Sequence, residues 1–322
     1  MPSIISAFTL NHLRLLYNLS VLSMKICITI IMRAIKQIIP ARSKNLLGET
    51  VLITGAGHGI GRELAIQLGS LGCIIVCWDI NVETNRSTMK AVSENGGEVY
   101  GFAVDVSNRL QVQETVKLMR KLEIPEVTIL INNAAVLYHR PFLHQDQDLI
   151  EKTFNVNVLS HFWTIKALLP SMIENQKGHI VCLCSMCGMY GVSEKVAYCS
   201  SKFALRGLME ALHEELRLNP RTANIRFTTV YPFYVNTGLA RDPKYRLPYI
   251  FGVVSAEYAA QEVIKAVRRN YTEYTIPRCL LALNSVNRAL PDTAMRLILD
   301  FLSNAERKRR ENLVTDRNTA SK

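Results

Sequence analysis

From residue 49 onward the chain alternates short apolar runs with helical patterns, and few folds accept that alternation. The runs are TVLITG, CIIVCWD, EVYGFAVD, VTILIN, HIVCLCS, IRFTTVY and EYTIP. Most are apolar nearly throughout, the pattern of strands covered on both faces. Between them lie stretches with a period near 3.6, such as GRELAIQLGSLG and QVQETVKLMRKL. Strands alternating with helices of that length predict a parallel sheet with crossover helices on both sides. The expected fold class is α/β, one doubly wound parallel-sheet domain behind an apolar N-terminal segment. No internal repeat or low-complexity linker divides it. The last apolar stretch, CLLALNSVNRALPDTAMRLILDFLSN, predicts two short amphipathic helices parted at Pro291.

The first strand runs into VLITGAGHGIG, residues 51–61. Its glycine spacing is neither G-x-G-x-x-G nor the phosphate loop ending in G-K-[ST]. Gly55, Gly59 and Gly61 instead fit T-G-x-x-x-G-x-G, with Gly57 extra. The cluster follows a strand and opens a helix. That is where a Rossmann sheet holds a pyrophosphate, on a tight turn facing a positive helix end. Tight turns need glycine for their own sake, so the next strand carries the argument. It ends in Trp78-Asp79, and a carboxylate there accepts both hydroxyls of an adenosine ribose and repels a 2′-phosphate. Asp79 points to NAD over NADP.

AYCSSKFA places Tyr198 and Lys202 four residues apart on a predicted helix, so both side chains share one face. An ammonium beside a phenol favours the phenolate, which predicts a Tyr198 pKa lowered toward the working range. Tyr198 would then take the proton of a substrate hydroxyl. Ser185 ends a strand thirteen residues earlier and is placed to bind the oxygen beside Tyr198. Asn157, on an earlier predicted helix, would hold a water that relays protons to Lys202. A lone Y-x-x-x-K is common; the four together are not.

The chain from about residue 48 to 280 resembles the short-chain dehydrogenases/reductases. The motifs that carry this are TGAGHGIG, WDIN, VDVS, NNAA, NVN, Ser185 with YCSSK, and YPFYVNTG. The resemblance implies an Asn-Ser-Tyr-Lys tetrad at Asn157, Ser185, Tyr198 and Lys202. It places Ile60 in the glycine turn, Asp105 and Val106 at the adenine, and Asn132 and Ala134 in support of the cofactor strand. Val235 and Thr237 would hold the nicotinamide amide. Phe233 departs from the family, which often has glycine after Pro232, and would narrow the room near the nicotinamide. Ala135 replaces the usual glycine of NNAG. The chain is most similar to a membrane-bound branch holding the epidermal-type retinol dehydrogenases and the 17-beta-hydroxysteroid dehydrogenases of lipid droplets. That branch implies an NAD-dependent oxidoreductase of a lipophilic alcohol, retinol or a steroid. Its relatives usually pair through the helices carrying Asn157 and Tyr198, which implies a homodimer.

Residues 4–39 are strongly apolar, with Lys25 inside the best window, residues 15–32. About twenty mostly apolar residues make a clean span, so this segment reads as a span, an interfacial helix, a hairpin or a packed helix. Positive charge is denser after it, at Arg33, Lys36, Arg42 and Lys44, which predicts a domain facing the cytosol. With the resemblance, residence on the endoplasmic reticulum membrane or lipid droplets follows. The expected organisation is a membrane anchor over residues 1–45, the dehydrogenase domain over 46–280, and C-terminal helices with a basic tail over 281–322.

The formal charge is +11, and part of the excess lies in that N-terminal segment and in the run Arg307-Lys308-Arg309-Arg310. Basic ends beside apolar stretches fit an anionic lipid surface, or a solvated tail, better than nucleic acid. No interleaved basic-aromatic motif for nucleic acid is present. The eight cysteines fall mostly in apolar runs, as buried thiols of a reducing compartment do. CLCSMC has no histidine pair to complete a metal site. Two other readings stay open. One is an NADPH-dependent reductase of retinal or a ketone, with His58 near the 2′-phosphate. The other is a lipid-droplet scaffold that retains cofactor binding.

Overall fold

The computed structural model describes residues 2–38, 42–239 and 252–302. The basic run 307–310 lies outside the described residues, as do residues 240–251. The chain divides into two units, residues 1–44 and 45–322.

The first unit is one helix, α1 (Pro2–Ile38). Within it, Asn11–Met32 is long and apolar enough to cross a membrane. Leu15, Leu16, Leu22, Ile26 and Ile30 on it are exposed to more than 45%, a composition that water alone does not favour.

The second unit is the α/β domain. Its strands are β1 (Thr50–Thr54), β2 (Ile74–Asp79), β3 (Val99–Ala103), β4 (Ile129–Asn132), β5 (His179–Leu183), β6 (Arg226–Pro232), β7 (Val235–Asn236), β8 (Val254–Ser255) and β9 (Glu273–Ile276). Seven of them form one parallel sheet in the order β3-β2-β1-β4-β5-β6-β9, and β7 pairs with β8 beside it. All seven apolar runs of the sequence are strands of this sheet. The helices are α2 (Gly59–Ser70), α3 (Val82–Glu94), α4 (Arg109–Lys121), α5 (Gln147–Phe154), α6 (Ser160–Glu174), α7 (Val196–Arg217), α8 (Ala256–Arg268), α9 (Cys279–Ala289) and α10 (Asp292–Leu302). Pro291 stands between the last two, where the helical pattern breaks.

Strand side chains alternate between two buried layers, which is why the strands are apolar at both parities. Val51, Ile53, Ile75 and Ile131 pack under α2, α3 and α8, against Leu64, Leu68, Val92 and Val263. Leu52, Val76, Leu130 and Ile180 pack under α4, α6 and α7, against Val116, Leu168, Met172 and Leu205. The strand order reverses between β1 and β4, and the chain leaves in opposite directions on either side. A crevice opens there at the carboxyl ends of the strands.

Helix termini are closed by side chains where they face solvent. Asn81 accepts the Glu83 and Thr84 N–H groups at α3, and Asn108 those of Leu110 and Gln111 at α4. At α2 the capping residue is His58, whose side chain makes no cap bond, and the first turn holds no acid. That end faces the crevice. A π-helical turn, Asn155–Leu159, interrupts the α5–α6 helix and contains Asn157. Such turns are rare and frequent at functional sites.

Candidate active site

The crevice has two connected parts. The larger is a cleft of about 600 Å³ walled by the glycine turn and by the ends of β2, β3 and β4. The smaller is a pocket of about 110 Å³ at the ends of β5 and β6. Ile60, Asn133, Ala135, Thr237 and Leu239 line both.

The glycine turn is built by close approach. Gly55 has φ of +65°, and a Cβ on it would lie 2.9 Å from the Ala134 Cα. At Gly61 a Cβ would lie 2.1 Å from the Gly55 carbonyl oxygen and 2.6 Å from Asn133 Nδ2. Asn133 holds the two strand ends together. Its amide nitrogen donates to the Thr54 carbonyl at 2.9 Å and the Gly55 carbonyl at 3.1 Å, and its backbone N–H donates to Thr54 Oγ1 at 2.9 Å. The turn therefore exposes backbone where a side chain would otherwise stand, below an uncapped helix N-terminus that favours an anion.

Asp79 lines the cleft at the end of β2, as the sequence predicts. Its carboxylate is already oriented: Oδ2 accepts the Gly57 N–H at 2.8 Å and Oδ1 the Asn81 N–H at 2.8 Å. Each oxygen keeps a lone pair for a further donor. Gly57, extra in the motif, thus fixes the acid. Gly55, Gly59, Ile60, Asp105, Val106 and Ala134 also line the cleft. Asp105 turns its Oδ1 onto its own loop, accepting from the Ser107 N–H and Oγ. Thr237 borders both cavities and Val235 the pocket; a Cβ on Gly59 would meet Thr237 Cγ2 at 2.9 Å.

Asn132 stands elsewhere. It is buried away from the cleft, where its Oδ1 accepts from Thr164 Oγ1 on α6 at 2.8 Å. Side chains alternate across the strand, so the second Asn of NNAA, not the first, reaches the cofactor side. Gly61 likewise lies beneath the cleft wall, packed on Gly55.

Ser185, Tyr198 and Lys202 converge on the smaller pocket. Ser185 follows β5 and caps a short 3-10 turn (Met186–Gly188), its Oγ accepting the Cys187 N–H at 3.1 Å, and its hydroxyl acts to lower the Tyr198 phenol. Tyr198 and Lys202 sit one turn apart on α7, and Lys202 Nζ lies 5.6 Å from the Tyr198 ring centre. Lys202 is 1% exposed, and its Nζ donates to the Leu183 carbonyl at 2.9 Å. Burial pushes the Tyr198 phenol well up and keeps it neutral, with the Cys187 thiol acting in the same direction. The Tyr-Lys spacing predicts a lowered phenol; in the folded site desolvation, the largest cause, acts the other way and exceeds the lowering by the Ser185 hydroxyl. Burial also lowers Lys202.

Asn157 is fully buried and does not line the pocket. Its Oδ1 accepts the Val136 N–H at 2.8 Å, and its Nδ2 donates to the Val136 carbonyl at 2.9 Å and to Ser201 Oγ at 3.1 Å. Ser201 in turn donates to the Tyr198 carbonyl at 2.7 Å. The side chain ties the cleft wall to the Tyr198 turn of α7. Both Nδ2 hydrogens are used in doing so, while Oδ1 keeps a lone pair.

The rest of the pocket wall is apolar, from Leu137, Met186, Tyr190, Val192, Phe233 and Tyr234. Phe233 lines the pocket and packs edge-on to Tyr234 at 4.9 Å. One cation stands among them. Lys195 is 5% exposed and donates to the Tyr234 hydroxyl at 3.0 Å. Spacing gives no sign that a lysine before a helix folds inward.

The carboxylate, the bare glycine cradle and the uncapped helix end together fit a nicotinamide dinucleotide. Comparison with known proteins agrees. The short chain dehydrogenase family model matches residues 49–245. The chain belongs to the short-chain dehydrogenase family. It is 36% identical to mouse epidermal retinol dehydrogenase 2, over 91% of this chain and 94% of that one. It is also 36% identical to human 17-beta-hydroxysteroid dehydrogenase 13, over 82% of this chain and 86% of that one. Among solved structures it superposes on a Burkholderia phymatum short-chain dehydrogenase/reductase in complex with NAD. The TM-score is 0.68 at 24% identity, covering 76% of this chain and 95% of that one. This oxidoreductase family and the parallel sheet agree with the sequence reading.

Two predictions follow from the packing. Gly61→Ala forces the Gly55 carbonyl aside; denaturant melts are expected to show a loss of about 1–3 kcal/mol, with NADH fluorescence titration showing weakened binding. His161, on α6, is fully buried with no partner for Nδ1, and burial, then Lys202, lowers its pKa to about 3. A lowered histidine gives stability that is complete above its ordinary pKa and is lost as pH falls from there through the folded value. Between pH 7 and 5 the wild type is expected to lose about 2 kcal/mol more than His161→Gln in paired denaturant melts.

Proposed function

We propose that the protein is a membrane-anchored, NAD-dependent dehydrogenase of a lipophilic secondary or allylic alcohol, of the retinol or 17-beta-hydroxysteroid class. The observation that carries this is the convergence of Ser185, Tyr198 and Lys202 on an apolar pocket continuous with a cleft that ends at Asp79. The names of the relatives supply the substrate class.

Asp79 would accept the ribose hydroxyls, held ready by Gly57 and Asn81. The N-terminus of α2 would face the pyrophosphate, and Val235 and Thr237 the nicotinamide amide. Lys202 would reach the nicotinamide ribose. When bound, the nicotinamide accepts the hydride of the carbinol carbon. Ser185 orients the substrate oxygen through its hydroxyl. Tyr198 takes the hydroxyl proton in oxidation and returns one in reduction. Asn157 acts as a positioning residue through Ser201.

The neutral phenol gives the two directions opposite pH dependence. Reduction uses the protonated Tyr198 as it stands. Oxidation needs the phenolate, which the Ser185 hydroxyl favours against burial. Oxidation therefore rises with pH and reduction falls.

α1 supplies the anchor and suits a substrate that partitions into lipid. Residence on the endoplasmic reticulum or lipid droplets, with the domain in the cytosol, follows from the basic flank of α1 and from the branch the sequence resembles. Pairing is supported by apolar residues left exposed on the Asn157 and Tyr198 helices: Leu159, Phe162 and Phe203.

Membranes holding the full-length protein, offered retinol or estradiol with NAD or NADP and followed at the reduced nicotinamide absorbance, test the reading. Tyr198→Phe is expected to lower kcat by about 100- to 10,000-fold while NADH still binds. Asp79→Ser is expected to lower kcat/KM for NAD by about 10- to 100-fold and to narrow the gap to NADP, since a hydrogen bond to a charged group is worth about 1.5–3 kcal/mol. Faster turnover with NADP in the wild type would favour the reductase instead. A folded, NADH-binding protein without turnover would favour the scaffold.

A further inference from the structure

A cation is buried in the smaller pocket with no anion to match it. Lys195 is 5% exposed and lines that pocket with Ser185, Tyr198 and Lys202. It stands just before α7, three residues ahead of Tyr198. Its carbonyl accepts the Cys199 N–H at 2.8 Å, so the segment already turns with the helix and both side chains meet one space. Nζ donates to the Tyr234 hydroxyl at 3.0 Å and lies 4.9 Å from the Tyr234 ring centre. An ammonium has three donors, and this bond uses one.

No protein carboxylate takes the others. Among the described residues Lys195 forms no ion pair, and neither Asp nor Glu lines the pocket. Glu194, its neighbour in the chain, turns to His139 instead, with Oε2 3.3 Å from Nδ1. Lys195 lines the smaller pocket and not the cleft. Cofactor phosphates at the N-terminus of α2 would therefore leave it unmatched. Lys202 spends one donor on the Leu183 carbonyl and, on the dehydrogenase reading, serves the nicotinamide ribose. Burying a charge is costly unless it is paired and hydrogen-bonded. A wall with two lysines and no carboxylate suits a ligand that brings the negative charge with it.

We propose that Lys195, held in place by Tyr234, is an anion subsite, and that the alcohol oxidised here is a lipophilic hydroxy acid whose carboxylate rests on it. The inference rests on the dehydrogenase reading of this pocket and narrows its substrate class. One cavity of about 110 Å³ is shared by Lys195, Ser185 and Tyr198, so the carboxylate stands only a few bonds from the carbinol carbon. Leu137, Met186 and Val192 offer apolar surface to the hydrocarbon beside it. The carbinol carbon gives its hydride to NAD, Tyr198 takes the hydroxyl proton, and an oxo acid forms with its carboxylate unchanged.

The test uses the full-length protein in membranes with NAD and two probes, β-hydroxypalmitate and its methyl ester. The ester keeps the carbinol and the tail and removes the charge. The wild type is expected to show a kcat/KM about 10- to 100-fold higher for the acid, the worth of a hydrogen bond to a charged group. In Lys195→Met that ratio is expected to fall to about one, and in Lys195→Arg to stay well above it. A wild-type ratio of one or less would overturn the proposal. So would an unchanged ratio in a Lys195→Met protein that still binds NADH. The wild-type ratio is read even where that variant does not fold.

Two further outcomes separate this inference from the reading it rests on. Turnover of retinol or estradiol but of neither probe would overturn the inference and leave the dehydrogenase standing. Where no alcohol turns over, the dehydrogenase reading fails, and binding of radiolabelled palmitate to the solubilised full-length protein decides the subsite. Binding that Lys195→Met weakens about tenfold supports it, and equal or absent binding in both proteins overturns it.

Discussion

The contact between Gly61 and the Gly55 carbonyl has no room for a side chain, and the rest of the site depends on it. It lets α2 begin almost on top of the end of β1. Asn133 completes the clamp by taking the Thr54 and Gly55 carbonyls from the neighbouring strand. With the turn fixed, the positive end of α2 points into the crevice, and the Gly57 N–H is free to hold Asp79. A dinucleotide site is thus made mainly of backbone, and its geometry follows from the strand order around it.

The half that holds Tyr198 and Lys202 rests on a different constraint, the burial of groups that would prefer water. Lys202 is nearly sealed, with the Leu183 carbonyl as its hydrogen-bond acceptor. Desolvation sets the state of the groups near it: His161 stays neutral, with the Lys202 charge acting in the same direction, and Cys182 and Cys184 remain thiols against that charge. Tyr198 is held as a phenol for the same reason. An active site of this kind is stored electrostatic work, supported by the well-packed helices on either side. Asn157 shows how that support is delivered. Its amide bridges a loop and α7 from within a π-helical turn, so the helix that carries it gives up regular bonding to make the bridge.

Most of this architecture was legible in the sequence, because it rests on periodicity and on residue types with few alternatives. The seven strands follow from doubly buried apolar runs, and the break at Pro291 from the loss of a helix donor. Tyr198 and Lys202 share a face because helix geometry leaves no other arrangement four residues apart. What stayed hidden was direction rather than position. Asn132 and Asn133 are chemically identical, and only the pleat decides which one faces the cleft. The phenol's ionisation depends on how much water the fold removes, which no spacing records. Lys195 reaches the pocket from a loop doubling back on α7, where no period constrains the chain.

The division between the two halves also bears on substrate range. The cofactor side is specified by glycines, a carboxylate and hydrogen bonds to backbone, none of which tolerates much change. The smaller pocket is walled by Met186, Tyr190, Val192, Phe233 and Tyr234, none of them in the strand interiors that build the sheet. Apolar walls discriminate weakly between alcohols that differ by a few carbons, on the order of 1–3 kcal/mol per methylene. A family can therefore keep one reaction and move between retinoid and steroid alcohols by changing these walls. In this chain the wall also holds the buried Lys195 and the Cys187 thiol, so polar groups beyond Ser185, Tyr198 and Lys202 face the same space.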